Sequence, residues 1–271
     1  GDVRYARTFD EMVTDWQAID LARIQAFHER FVSAAHAEVA VVGDIDAVAV
    51  REALERHLSS WTKPEPFERI ATPLLKDSPI RMQLSTPDKQ NAAMTVALAL
   101  PLNDRHPDYA AFMMANHLFG SGGNSRLWNR IREKEGLSYN VYSTVQWNPI
   151  EENSQWMAAA IFAPQNRAKV EKAFKEEVNK AIEQGFTQAE FDAGKKGLLS
   201  FRRLARAQDN RLAASWASNL YLNRTFAESA RVDAALEALT LDQVNSALRR
   251  YLHPDQFVMG VAGDFKEEAR P

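Results

Sequence analysis

The chain has 271 residues, 45% hydrophobic and 25% charged, with 11 Gly, 11 Pro and no Cys. That composition excludes disordered, collagenous and disulfide-stapled classes, and the missing cysteine excludes thiolate zinc sites and a cysteine nucleophile. Lys+Arg 33 against Asp+Glu 36 leaves a net charge of −3, so no positive balance drives binding to nucleic acid or an anionic membrane.

The opening Gly-Asp-Val-Arg carries no initiator Met, basic stretch or apolar leader, which predicts a fragment or processed product whose targeting signal lies elsewhere. An ungapped internal match follows. Leu21 to Ile45 aligns with Leu241 to Phe265 at an offset of 220, pairing Ile24 with Val244, Phe31 with Tyr251, Gly43 with Gly263 and Asp44 with Asp264. Both segments read as an amphipathic helix, a loop, an apolar strand and Gly-Asp. The offset predicts a repeating unit of about 220 residues. Residues 1–62 are then the closing piece of one unit, 63–78 a proline-marked linker, and 79–271 one complete C-terminal domain.

Asp46 is a natural N-cap for a helix to about Ser60, with Val48, Val50, Leu54 and Leu58 near helical spacing. Two apolar strands are predicted over 80–85 and 92–100, joined by the turn-forming Thr86-Pro87-Asp88-Lys89. The longest apolar run, 92–102, is too short for the ~20 residues of a membrane span. Helices are predicted over 108–119 and 125–134. A hairpin over 140–147 and 154–162 follows, with Asn148-Pro149 in its turn. From Gln165 to Leu252 the pattern is helical, with breaks near Gly185, Asp209, Thr225 and Thr240, before a last strand over 257–262. Adjacent hairpins with separate helical runs predict an α+β fold, a mostly antiparallel sheet packed with helices on one face.

Two motifs carry candidate chemistry. The run Phe119-Gly120-Ser121-Gly122-Gly123-Asn124-Ser125-Arg126-Leu127 is a glycine-rich turn into a helix, where backbone N–H groups can approach a phosphate or a peptide carbonyl. It lacks the Gly-Lys-Ser/Thr of a phosphate loop and the βαβ setting of a dinucleotide fingerprint. Taken alone it also suits a plain helix–helix connection. The helix it opens ends at Gly136, a natural C′ residue, so Arg132 in the last turn and Tyr139 at the head of the next strand flank one turn. A guanidinium and a phenol converging there could stabilise negative charge on a carbonyl oxygen; an exposed cation and a half-buried tyrosine are the plainer reading.

Ser125-Arg126-Leu127, Ile131-Arg132-Glu133 and Gly136-Leu137-Ser138-Tyr139-Asn140-Val141-Tyr142-Ser143 together resemble a signature in the second homologous domain of pitrilysin-family zinc metallopeptidases. The resemblance spans essentially the whole chain. It implies tandem α+β units closing as a clamshell on a peptide or protein substrate. One half, fused or separate, holds zinc through His-x-x-Glu-His. The other contributes an arginine and a tyrosine near the scissile bond, here Arg132 and Tyr139. Substrate contact by a glycine-rich loop in a related non-catalytic subunit adds Gly120, Gly122, Gly123, Ser125 and Arg126 as expected substrate-binding residues. The family also implies the bacterial periplasm as a compartment.

The histidines, His28, His36, His57, His106, His117 and His253, depart from the pattern: no pair has His-x-x-Glu-His or His-Glu-x-x-His spacing. No metal ligand is therefore assigned in this chain; zinc is expected in the catalytic half, and the chain alone is expected to be inactive. The alternative is a structural or peptide-binding homologue without peptidase activity.

Overall fold

A computed structural model describes residues 5–62, 65–74 and 78–265. Linker positions 63–64 and 75–77 and the last six positions of the expected C-terminal domain lie outside the described residues. The chain sorts into two compact units: residues up to Ala71 with Arg206–Thr225, and Thr72–Ala205 with the remainder from Phe226.

In the first unit, α1 (Phe9–Gln17) opens with a capping box. Thr8 Oγ1 accepts from the Glu11 backbone N–H at 3.3 Å, and the Glu11 carboxylate accepts from the Thr8 N–H at 2.8 Å. Thr8-x-x-Glu11 is the sequence signal for this helix, which the pattern reading above does not include. Helix α2 (Leu21–Phe31) is capped by Asp20, and α3 (Ala47–Leu58) by Asp46, whose Oδ1 accepts from Val48 and Ala49 N–H. No residue of these three helices is buried. Residues 37–42, predicted as a strand, run without a strand ladder among the described residues. Val39 and Val41 are exposed there. A strand is completed only by hydrogen bonds to a neighbour, and its own sequence cannot supply one.

The second unit holds a five-stranded sheet in the order β1-β5-β2-β4-β3, built from β1 (Ile80–Ser85), β2 (Ala92–Leu100), β3 (Ser138–Gln146), β4 (Ser154–Phe162) and β5 (Val258–Gly263). β5 lies parallel to β1 and antiparallel to β2, and the other pairs are antiparallel. The sheet is thus mixed. β1 and β2, joined in sequence by a short turn, are separated by the last strand and form no hairpin. The turn allows this because Asp88 adopts a left-handed φ of 63°, and its N–H donates to Asp264 Oδ2 at 3.3 Å.

Around the sheet stand α4 (Tyr109–Asn116), α5 (Arg167–Gln184), α6 (Gln188–Ala205), α8 (Ala227–Ala238) and α9 (Leu241–Tyr251), while α7 (Asp209–Tyr221) groups with the first unit. Strict alternation in β2 buries Ala92, Met94, Val96, Leu98 and Leu100 and leaves Ala93 and Thr95 exposed. Trp156 of β4 stacks on Phe257 at 5.5 Å between ring centroids and meets Phe119 at 6.1 Å. Each such side chain removed from water contributes roughly 1.5–3 kcal/mol.

Candidate functional site

Helix α4 does not end at Asn116. It widens into a π-helical segment, His117–Ser121, and after the glycine-rich turn the next helix runs 126–134, with Trp128–Lys134 again π-helical. Such widened turns occur often at functional sites. Gly136, in the left-handed region at φ 58°, closes that helix: its N–H donates to the Arg132 carbonyl at 3.1 Å, and the Leu137 N–H to the Ile131 carbonyl at 2.9 Å. A side chain at this φ would cost about 1–2 kcal/mol, which explains the glycine.

The chain then enters β3 through a bulge. Ser138 pairs with Phe162 and Asn140 with Ile161, so Tyr139 is the extra residue without a cross-strand partner. Ser138 Oγ donates to the Ile161 carbonyl at 2.6 Å and accepts from the Asn140 N–H at 3.2 Å, clamping the bulge. A bulge re-aims the side chain it carries, and Tyr139 stands 68% exposed. On the other side of the Gly136 turn, Arg132 Nη1 donates to the Tyr139 carbonyl at 3.3 Å. Its guanidinium lies 3.9 Å from the centroid of the Trp128 ring, one helical turn back, and Nε is 3.6 Å from Glu133 Oε1. The turn and the bulge thus bring Arg132 and Tyr139 together, with Trp128 as a platform that sequence spacing revealed only as part of an apolar stripe.

The five loop positions divide. Gly120 is buried, and a Cβ there would stand 2.6 Å from the Ser143 backbone nitrogen. Ser143 Oγ in turn donates to Asn116 Oδ1 at 2.6 Å, which also accepts from Trp156 Nε1 at 2.9 Å. Gly122 is half-buried, with a Cβ there 2.8 Å from the His117 carbonyl oxygen, whereas Gly123 is exposed at the lip and a Cβ on it would meet nothing within 4 Å. Ser125 is buried, and its Oγ has no hydrogen-bond partner in the protein.

Arg126 is 9% exposed and faces away from the lip. Its Nε and Nη2 grip both Glu190 oxygens at 2.8 and 2.9 Å, Nη2 donates to the Gly185 carbonyl at 2.6 Å, and the guanidinium lies 4.7 Å from the Phe186 centroid. Glu190 also accepts from the Thr187 N–H and Oγ1, as the N3 member of a capping box at the start of α6. Burial alone would raise its pKa, but the Arg126 and Thr187 hydrogen bonds outweigh it and hold the carboxyl at about 2. Arg126 therefore fixes the loop's helix to the turn between α5 and α6.

Zinc would need three or more grouped nitrogen or carboxylate donors, and no such group of His, Asp or Glu exists among the described residues. The donor set here does not fit the metal. No described helix is long and apolar enough to cross a membrane.

The family described as the peptidase M16 inactive domain matches residues 18–198. An uncharacterized zinc protease of Mycobacterium tuberculosis is 25% identical over 239 residues, covering 85% of this chain and 52% of that protein. A non-peptidase homolog of Helicobacter pylori, YmxG, is 22% identical over 183 residues, covering 67% and 41%. The chain thus spans about half the length of the curated relatives it matches. Among solved structures, a peptidase M16 inactive domain from Pseudomonas fluorescens superposes with a TM-score of 0.76 at 23% identity, covering 93% of this chain and 60% of that one. A protease from Helicobacter pylori gives 0.74 at 18%, covering 92% and 60%. The match over residues 18–198 makes the chain a member of the peptidase M16 inactive-domain family.

Proposed function

We propose that this chain is the substrate-contacting half of a zinc metalloendopeptidase, closing over a peptide held by a zinc-bearing domain or subunit of the same family. Residues 1–62 are then the end of a preceding unit, 63–78 a linker, and 79–271 the C-terminal domain. The offset of 220 supports this division: α2 and α9, and the 3₁₀ turns Ala34–His36 and Pro254–Gln256, occupy equivalent positions.

The single observation that carries the reading is the juxtaposition of Arg132 and Tyr139 across the Gly136 turn. Arg132, oriented by the Trp128 ring and the Tyr139 carbonyl, offers its remaining N–H groups to a carbonyl oxygen as negative charge develops there. The Tyr139 hydroxyl supplies a second donor. Gly122, Gly123 and Ser125 border the peptide, while Gly120 and Arg126 hold the loop in place from behind.

Mixing this chain with its catalytic half restores peptide hydrolysis on this reading. Arg132→Ala lowers kcat by about tenfold or more, as loss of a transition-state donor does, with KM changing less. Unchanged turnover in that variant removes the role. The likeness to a non-peptidase homolog favours a second reading, a peptide-binding or structural subunit without peptidase activity. Failure of every zinc-bearing companion to give hydrolysis selects it.

A further inference from the structure

Behind the glycine-rich lip lies a cavity of about 910 Å³, bounded on one side by Gly122, Gly123 and Ser125 and on the other by α6. Its far wall is built from residues that keep α6 slim or apolar, Ala193, Gly197, Leu198 and Phe201 among them. Gly197 has room: a Cβ there would meet only the His117 ring, at 4.0 Å. The volume lies within the 300–1,000 Å³ typical of ligand sites.

Two observations point to an occupant. Ser125 lines the cavity, is 1% exposed, and its Oγ has no partner in the protein. A serine immediately before a helix ordinarily turns its hydroxyl to an N–H of the first turn, and leaving it unpaired in the interior is costly. The charge balance is the second. Glu190 is the one carboxylate on the wall, and both its oxygens are engaged by Arg126 and Thr187. His117 is pushed toward its neutral form by burial. Ser121, Asn124 and Asn129 also line it, so the cavity presents an apolar α6 wall, an opposite rim of uncharged polar groups that includes the unpaired Ser125 hydroxyl, and no free charge.

We infer that this cavity binds an uncharged, apolar stretch of about two residues of the peptide substrate, its backbone meeting Ser125 Oγ and its side chains resting on α6. A charged stretch would lose its hydration with no counter-charge to replace it. The occupant rests on the peptidase reading above; the wall formed by α6 is new to it and remote in sequence from the loop.

The test titrates the full chain with acetyl-Leu-Leu-amide, acetyl-Lys-Lys-amide and acetyl-Glu-Glu-amide, following the backbone amide resonances of Gly122, Gly123 and Gly197. The leucyl peptide shifts all three and saturates, and the charged peptides bind at least tenfold more weakly. Ser125→Ala binds the leucyl peptide about fivefold more weakly while its Tm holds or rises, because the lost hydroxyl had no partner to abandon. Gly197→Leu fills the cavity and abolishes binding without lowering Tm, since leucine is the better helix former. Equal binding of all three peptides, no shift at these glycines, or wild-type binding by Gly197→Leu overturns the inference. The two readings fail separately: an empty cavity with kcat still sensitive to Arg132→Ala rejects this pocket alone, and unchanged turnover in Arg132→Ala rejects the peptidase role.

Discussion

The Arg132 guanidinium lies 3.9 Å from the centroid of the Trp128 ring, four residues earlier on the same helix. An arginine free in solvent samples many rotamers; one held on an indole face and tied to the Tyr139 carbonyl has already lost most of that freedom. Trp128 is therefore a positioning residue for Arg132. In the reconstituted enzyme, Trp128→Leu should lower kcat about three- to tenfold with little change in KM, and Trp128→Phe should recover part of the loss. On an Arg132→Ala background, Trp128→Leu should have no further effect; additive losses in that cycle would show that the ring acts some other way.

Replacing the stacked arginine with another cation separates charge from geometry. Arg132→Lys keeps the charge but gives up the planar stack and the fork of donors. Its kcat should fall closer to that of Arg132→Ala than to wild type. Recovery of full turnover by lysine would mean that charge alone suffices.

The two ends of the glycine-rich loop should respond oppositely to a methyl group. Gly120→Ala forces a Cβ against Ser143 and the Asn116 network behind it, and overpacking of this kind costs about 1–3 kcal/mol. Gly123→Ala meets open space and should leave Tm within a degree or two of wild type. Thermal unfolding of the two variants side by side decides whether the loop is anchored at Gly120 and free at Gly123.

The Arg126–Glu190 pair sets an acid limit for the second unit. The folded Glu190 carboxyl sits at about 2, below its ordinary 4.5, so its contribution is complete above about pH 4.5 and is lost as pH falls toward 2. Arg126→Met should destabilise the chain by about 1–3 kcal/mol at pH 7, because it strips a partly buried carboxylate of its partner. The gap between variant and wild type should narrow from pH 4.5 downward. A gap that stays constant to pH 2.5 would show that the ion pair is not its source.

Metal content offers a direct check on where zinc resides. The purified chain should carry no stoichiometric zinc after dialysis, and its Tm should not respond to a chelator, since no described donor cluster would hold the ion. A tight one-to-one zinc would overturn the assignment of this chain to the non-metal half.

Helices were legible in the sequence because a helix closes its hydrogen bonds within itself. The offset of 220 shows this well: α2 and α9 share length and position, each with a side-chain cap, Asp20 on Arg23 N–H at 2.8 Å and Thr240 on Gln243 N–H at 3.3 Å. Breaks at Gly185, Thr225 and Thr240 likewise fall between consecutive helices, and Asp209 opens α7. The Arg132-to-Tyr139 motif was legible too, because Gly136 dictates a local turn.

The five strands of the sheet fall where the sequence predicts them, but strand pairing was not legible, because it depends on neighbours far along the chain. Val258–Gly263 and its repeat counterpart, residues 38–43, carry the same apolar pattern and the same Gly-Asp end. The first is sandwiched between β1 and β2, with Val261 buried, while the second has no ladder among the described residues. The same dependence separated β1 from β2 and placed Tyr139 on a bulge, which exists only relative to the register of β4. Sequence alone therefore indicated the helices from α2 onward, the strands of the sheet and the placing of Arg132 and Tyr139 on either side of one turn. The tertiary structure decided which strands found partners, where Arg132 rests, and that α6, sixty residues beyond the loop, closes the cavity behind it.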